Sequence, residues 1–207
     1  MPKYTFVHPT KTGGTTVEQY FKQFHHKTIG GMGHVHTCSS SKNPIVIVRN
    51  PMERFYSIYN YWRNGAVNGK FMRKDTWNPP CNSINEFVFL LKQNDQHFVK
   101  KFLHKDFTTR LHFVPQSHWL KSGDYSKTIV LLYDRAGLDL KIQHLLKYLN
   151  IPVLGLPLPK VNVTKTSDSV SLLLGEEEEK WVKKYYKADF DLWHLVNNHP
   201  SRFKKVL

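Results

Sequence analysis

The sequence is poor in cysteine, in acidic residues and in long apolar runs, and each shortage closes a class of protein. Its two cysteines, Cys38 and Cys81, cannot build a disulfide framework and read as reduced thiols of a cytosol-like compartment. The longest apolar runs, residues 45–48 and 129–133, fall far short of the roughly 20 residues that span a bilayer, so no membrane-spanning helix is expected. Residues 1–7 lack the charged start, apolar middle and small-residue cleavage site of a signal peptide. Acidic residues number 16 against 30 lysines and arginines, a formal charge of +14, so the field around the chain gathers anions. Nucleic acid, phosphate esters and acidic polysaccharides all qualify, and charge alone does not choose between them.

Apolar material is plentiful. With 40% hydrophobic and 14% aromatic residues, the 207-residue chain can bury a core, which excludes general disorder and favours a single domain over residues 1–207. Tyr4-Thr5-Phe6-Val7-His8, stopped by Pro9, reads as a short buried strand. After a loop, Val17, Tyr20, Phe21 and Phe24 fall at i, i+3, i+4 and i+7, one apolar face of a helix. A second strand-to-helix unit starts at Pro44-Ile45-Val46-Ile47-Val48-Arg49, a continuous apolar run of the kind found where both sheet faces are covered. Asn50, Pro51 and Glu53 then supply a cap, a first-turn proline and a capping-box acid, which predicts a helix to about Trp62. Ile84, Phe87, Val88 and Leu91 predict another helix, residues 128–133 a third strand, and Leu138, Ile142, Leu145, Leu146 and Leu149 the helix after it. Glu176-Glu177-Glu178-Glu179 followed by Lys180, Lys183 and Lys184 reads as a solvated helix start. Residues 65–82 and 152–169 read as surface loops. Strands alternating with helices predict an α/β fold, a P-loop-type parallel sheet with helices on both faces.

The most informative segment is the first loop, Pro9-Thr10-Lys11-Thr12-Gly13-Gly14-Thr15-Thr16. A strand that ends in a Gly-containing turn and opens a helix brings free N–H groups and a positive helix end together, a place for phosphate or sulfate. Gly13 and Gly14 allow close backbone approach, Thr15 and Thr16 add hydroxyls, and Lys11 adds a point charge. Because the lysine precedes the glycines, this is not the nucleotide-triphosphatase loop G-x-x-x-x-G-K-[ST], although Tyr133-Asp134 after a strand imitates the magnesium aspartate of that class.

Here the chain resembles the sulfotransferases that use 3′-phosphoadenosine 5′-phosphosulfate (PAPS), in particular the carbohydrate branch of the heparan sulfate 2-O- and 6-O-sulfotransferases. His8 to Thr16 is similar to that branch's 5′-phosphosulfate loop, P-K-T-G-G-T-[ST], with Thr10 inserted between Pro9 and Lys11. Val48-Arg49-Asn50-Pro51-Met52-Glu53-Arg54-Phe55-Tyr56-Ser57 is similar to its 3′-phosphate motif, R-[DN]-P-x-x-R-x-x-S, in the family's order and at a second strand-to-helix junction. The resemblance covers residues 4–62 well and thins afterwards to residues 111–116, the strand from Ile129, and residues 158–166. It implies that Lys11, Thr12, Gly13, Gly14, Thr15 and Thr16 hold the donor's 5′ end, that Arg49 and Ser57 hold its 3′-phosphate, and that Lys165 and Thr166 close over the nucleotide.

The resemblance also implies a histidine base in the segment Gly30-Gly31-Met32-Gly33-His34-Val35-His36-Thr37-Cys38, with His34 first and His36 second. An imidazole can take a hydroxyl proton near neutral pH. The implied reaction is in-line transfer of a sulfuryl group from PAPS to an acceptor hydroxyl, releasing adenosine 3′,5′-bisphosphate, with Lys11 steadying charge on the leaving group and no metal called for. The acceptor class it implies is a glycan, which suits the positive charge. Members of this branch usually carry a Golgi membrane anchor, and none is present here, so the expectation is a soluble, cytoplasmic chain or one whose anchor was removed. Asn162-Val163-Thr164 matches a glycosylation triplet but falls in the proposed nucleotide loop. Two other classes fit the same composition: a P-loop nucleoside or small-molecule kinase, which needs magnesium and ATP, and a non-catalytic basic module that binds nucleic acid with a steep salt dependence.

Overall fold

The computed structural model describes residues 1–31, 34, 37–64, 81–93, 112–121, 125–159 and 173–207, with residues 62–64 as backbone only. Five strands form one sheet: β1 (Tyr4–Val7), β2 (Ile29–Gly30), β3 (Pro44–Val48), β4 (Ile129–Leu132) and β5 (Lys205–Val206), in the order β2-β1-β3-β4-β5 and parallel throughout. The helices are α1 (Gly14–Phe24), α2 (Pro51–Asn64), α3 (Ile84–Lys92), α4 (Leu138–Tyr148), α5 (Glu176–Tyr185) and α6 (Lys187–Asn198), of which α1 and α4 pack on the sheet. The expected α/β class with its parallel sheet is therefore observed.

The two side-chain periods explain how the sheet is buried. Phe6, Ile45, Ile47, Ile129 and Leu131 point to one face and pack with Val17, Tyr20 and Phe21 of α1 and Leu138, Ile142, Leu145 and Leu146 of α4. The alternate residues Val7, Val46, Val48 and Val130 are also fully buried, so the strands are covered on both sides and read as unbroken apolar runs. The helix α4 ends in a residue suited to the turn, since Asn150 lies just past it at φ 55 in the left-handed region.

The chain divides into two compact units. The first comprises Met1–Asn50, Gln116–Val161 and Asp191–Leu207 and contains the sheet; the second comprises Pro51–Pro115 and Asn162–Phe190. The second has its own core, in which Phe55, Ile58 and Tyr59 of α2 meet Phe87 and Val88 of α3 and Val182 of α5. At its centre lies the buried Arg54, 3.7 Å from the buried Asp189 and donating to the carbonyls of His112 and Val114 at 3.1 and 2.9 Å. A charge removed from water this completely needs such partners.

Several elements differ from the sequence reading. The edge strands β2 and β5 have two residues each, too few for a period to register, and the helix α6 adds to the helices expected. The helix α2 runs to Asn64 rather than Trp62, and it does begin at Pro51. The solvated helix at the glutamate run is present as α5, with Lys183 and Glu179 paired at 2.6 Å. Of the two expected loops, residues 65–80 and 160–169 lie outside the described residues. Residues 151–159 have no regular structure, and Leu154 and Leu156 there are exposed.

Candidate functional site

The chain passes from β1 through α1 to β2 on one side of β1, and then continues with β3, β4 and β5 on the other. The carboxyl ends of β1 and β3 thus flank a topological switch point, where connections leave in opposite directions and open α/β sheets bind ligands. The loop from His8 to Gly13 and the Arg49-Asn50 turn both start there, within the first unit.

The loop has an unusual backbone. Lys11 and Gly13 have φ of 62 and 78, in the left-handed region, a conformation that costs a lysine about 1 kcal/mol or more and that glycine adopts freely. Left-handed Gly13 followed by helical Gly14 turns successive N–H groups toward one concavity, at the positive end of α1. Among the described residues no side chain caps that end, and its first turn holds no acid. The Thr12 hydroxyl is buried and donates to the Pro9 carbonyl at 2.7 Å, so it staples the loop. Thr15 and Thr16 are half-buried on the first turn of α1. Gly14 is dictated by packing, because a Cβ there would overlap the His8 imidazole.

Arg49 is held by the loop, by Tyr133 and by Gln116. Its Nη1 donates to the Lys11 carbonyl at 3.3 Å, and its guanidinium lies 4.5 Å from the centroid of the Tyr133 ring. The buried Gln116 amide clamps its backbone, accepting from Arg49 N at 3.1 Å and donating to Arg49 O at 2.6 Å. Tyr133 also stands against Gly13, where a Cβ would come within 2.5 Å of its ring. The sequence reading left Gln116 and Tyr133 without a role in the site. Tyr133 directly follows β4 and Gln116 closes the segment 111–116 of the thinner resemblance, and neither carries a period that marks its contact with Arg49. The neighbouring Asp134 accepts the Ala136 N–H at 3.0 Å and opens the turn into α4, which gives this aspartate a structural task.

His34 belongs to the same unit. Its Nδ1 lies 2.9 Å from the His8 carbonyl, and since a carbonyl only accepts, Nδ1 carries the proton. In a neutral ring of this tautomer the lone pair lies on Nε2. The Trp119 indole N–H donates to the His34 carbonyl at 3.0 Å and holds the backbone from the other side. Next to it, His8 Nε2 donates to Glu18 Oε2 at 2.8 Å, and Lys22 pairs with the same carboxylate. The His8 hydrogen bond is the main reason why the Glu18 carboxyl is held down at about 2.

Lys11, Thr12, Gly13, Gly14, Thr15, Thr16, Arg49 and His34 thus all fall in the first unit, and Arg49 meets the loop directly. Ser57 is half-buried on α2 in the second unit. Lys165, Thr166, His36 and the Asn162 triplet lie outside the described residues. Cys38, which would share a face with His34 on an extended segment, is buried and its thiol is pushed up to about 12 by desolvation, so it stays protonated at neutral pH. Neither cysteine is in a disulfide.

Fold and site together give a parallel α/β sheet whose first loop, with a left-handed glycine at the start of α1, meets Arg49 and the His34 ring through backbone carbonyls. No family model, curated protein or solved structure matches the chain.

Proposed function

We propose that the chain is a PAPS-dependent sulfotransferase acting on an acceptor hydroxyl, and that the acceptor is a carbohydrate. The observation that carries this reading is the join between Arg49 and the loop after β1: two strand-to-helix junctions, each with an anion-binding pattern, meet through the Arg49 to Lys11 contact at the switch point. Uncapped amides, two half-buried hydroxyls, a lysine and a strand-end arginine form a donor set that fits a nucleotide with two anionic groups.

PAPS would supply an activated sulfuryl group on a phosphate leaving group. The amides of Thr12, Gly13 and Gly14 with Thr15 and Thr16 would orient its 5′ end, and Arg49 would hold its 3′-phosphate. Lys11 would oppose the negative charge that grows on the bridging oxygen as the bond to sulfur breaks. His34 Nε2 would take the acceptor's hydroxyl proton while the new oxygen–sulfur bond forms. The surplus positive charge, +14, favours an anionic glycan over a neutral alcohol.

The test compares the melting temperature of the chain with adenosine 3′,5′-bisphosphate in chelator, with ATP and magnesium, and with an oligonucleotide. A ligand that binds only the folded state raises it, by the equivalent of about 2.7 kcal/mol at a hundredfold excess over Kd. Stabilisation by the bisphosphate without metal is expected. Stabilisation by ATP and magnesium alone would replace this reading with the kinase, and by the oligonucleotide alone with the nucleic-acid module.

A further inference from the structure

His8 is a buried imidazole on the boundary between the anion loop and the candidate base, and the proposed chemistry does not use it. Its ring is 1% exposed and has a neighbour on every side. Phe6 stacks on it at 5.3 Å between centroids and 21° between planes, Gly14 leaves it space, Glu18 binds its Nε2, and the His34 ring meets it edge-on at 4.3 Å and 63°. The Glu18 carboxylate accepts the Nε2–H hydrogen bond, which leaves Nδ1 as the other polar atom of the ring. Among the described residues that buried Nδ1 has no hydrogen-bond partner. A buried polar atom without a partner costs stability, so an orientation that tolerates it needs another reason.

We propose that His8 and Glu18 are positioning residues for His34: the pair fixes the ring against which His34 rests and sets a carboxylate behind it that favours the His34 imidazolium. Main chain and side chain act together, since the His8 carbonyl holds the His34 Nδ1–H while the His8 ring, tied to Glu18, limits the tilt of the His34 ring. The loop that would hold the donor and the base that would deprotonate the acceptor then move as one piece, because Gly14 and Glu18 belong to the same helix, α1. Among the described residues, His34 meets His8 at the end of β1; Glu18 on α1 bonds His8, Lys22 on α1 pairs with Glu18, and the His118 ring stands against Trp119, which holds the His34 carbonyl. Removal of the Glu18 charge leaves Lys22 unopposed, which further disfavours a proton on His34.

This inference rests on the role of His34 as base but is testable without turnover. Long-range proton–nitrogen spectra of the ¹⁵N-labelled full chain report the tautomer and titration of each imidazole, and His34→Ala assigns the His34 signals. Neutral His34 is expected with its proton on Nδ1, and Glu18→Gln is expected to move the His34 midpoint down by about half a pH unit or more. An unchanged midpoint and tautomer in Glu18→Gln would overturn the proposal. If that variant does not fold, the wild-type titration decides: the His34 curve is expected to inflect at the His8 midpoint, and a simple single-site curve would overturn the coupling. With PAPS and a sugar acceptor, Glu18→Gln is expected to lower kcat several-fold with the donor KM little changed. A wild-type chain that transfers no sulfuryl group would defeat the sulfotransferase reading, while the spectra would still decide the role of His8 and Glu18.

Discussion

Arg49 illustrates how much a single side chain carries at the switch point. Its backbone is held by Gln116, its guanidinium lies over Tyr133, and one of its donors is spent on the Lys11 carbonyl. Removing the side chain takes away a tie to the loop and, on the proposed function, a charge-assisted contact to the 3′-phosphate. A charge-assisted hydrogen bond is worth roughly 1.5 to 3 kcal/mol, so Arg49→Ala is expected to weaken adenosine 3′,5′-bisphosphate at least about tenfold by calorimetry. Adenosine 5′-phosphate should lose less, and equal losses would take Arg49 out of the 3′ site. Arg49→Lys should not restore binding, because an ammonium cannot both stack on Tyr133 and present a planar fork. Gln116→Ala acts one step back: it frees the strand end and leaves two backbone groups to find new partners, so stability and affinity should fall together.

At the scale of elements, α1 and α2 depend on different electrostatics. Glu18 ties α1 to the end of β1, and its carboxyl is lowered from 4.5 to about 2, first by the His8 hydrogen bond. A depressed carboxyl contributes stability that is complete above the unfolded value and is lost as the pH falls from about 4.5 toward about 2, in total about 3 kcal/mol at most. His25, at the other end of α1 among Tyr20, Phe21 and Phe24, has its pKa lowered from 6.5 by burial. Its contribution is complete above 6.5 and declines as the pH falls below that value, because the unfolded chain takes up the proton first. Urea midpoints measured from neutral to acid pH should therefore fall in two stages, and Glu18→Gln should flatten only the lower one. An unaltered acid limb in that variant would show that the pair does not stabilise the fold.

The helix α2 is anchored by Arg54, buried against Asp189 and two carbonyls. Loss of one partner leaves the other charge in a dry core, which typically costs about 3 to 5 kcal/mol. Arg54→Ala should lower the urea midpoint severely, and Arg54→Met combined with Asp189→Leu should recover much of the loss. A mild effect of the single change would mean that water reaches Asp189. The motif arginine nearest the phosphate pattern in sequence is thus, in the structure, a core residue of the second unit.

For the whole molecule, the charge of +14 and the specific site make different predictions about salt. Diffuse attraction to a polyanion arises from counterion release and should drop steeply with ionic strength, by nearly one logarithmic unit per phosphate contact for each tenfold rise in salt. A bisphosphate held by Arg49, Lys11 and the α1 amides involves few charges and should be much less sensitive. Oligonucleotide and bisphosphate affinities measured from about 50 to 500 mM salt should therefore diverge, with the oligonucleotide falling faster. Parallel slopes would mean that the bisphosphate is bound by general charge alone.

The local elements were legible from the sequence because they are written in periods and punctuation: four successive Ile and Val residues in β3, the i, i+3, i+4, i+7 face of α1, Pro51 at the start of α2. The loop from Pro9 to Thr16 was legible for the same reason, since glycines and a lysine between a strand and a helix restrict the backbone within a few residues. Tertiary structure alone decided the rest. A period says which face of an element is buried and never which residue meets it, so Gln116 on Arg49, 67 positions away, and Asp189 beside Arg54 left no trace in the chain. The two-residue strands β2 and β5 exist only because β1 and β4 offer them unpaired edges. The proton on His34 Nδ1 was decided in the same way, by a carbonyl 26 residues upstream that the fold brings within 2.9 Å.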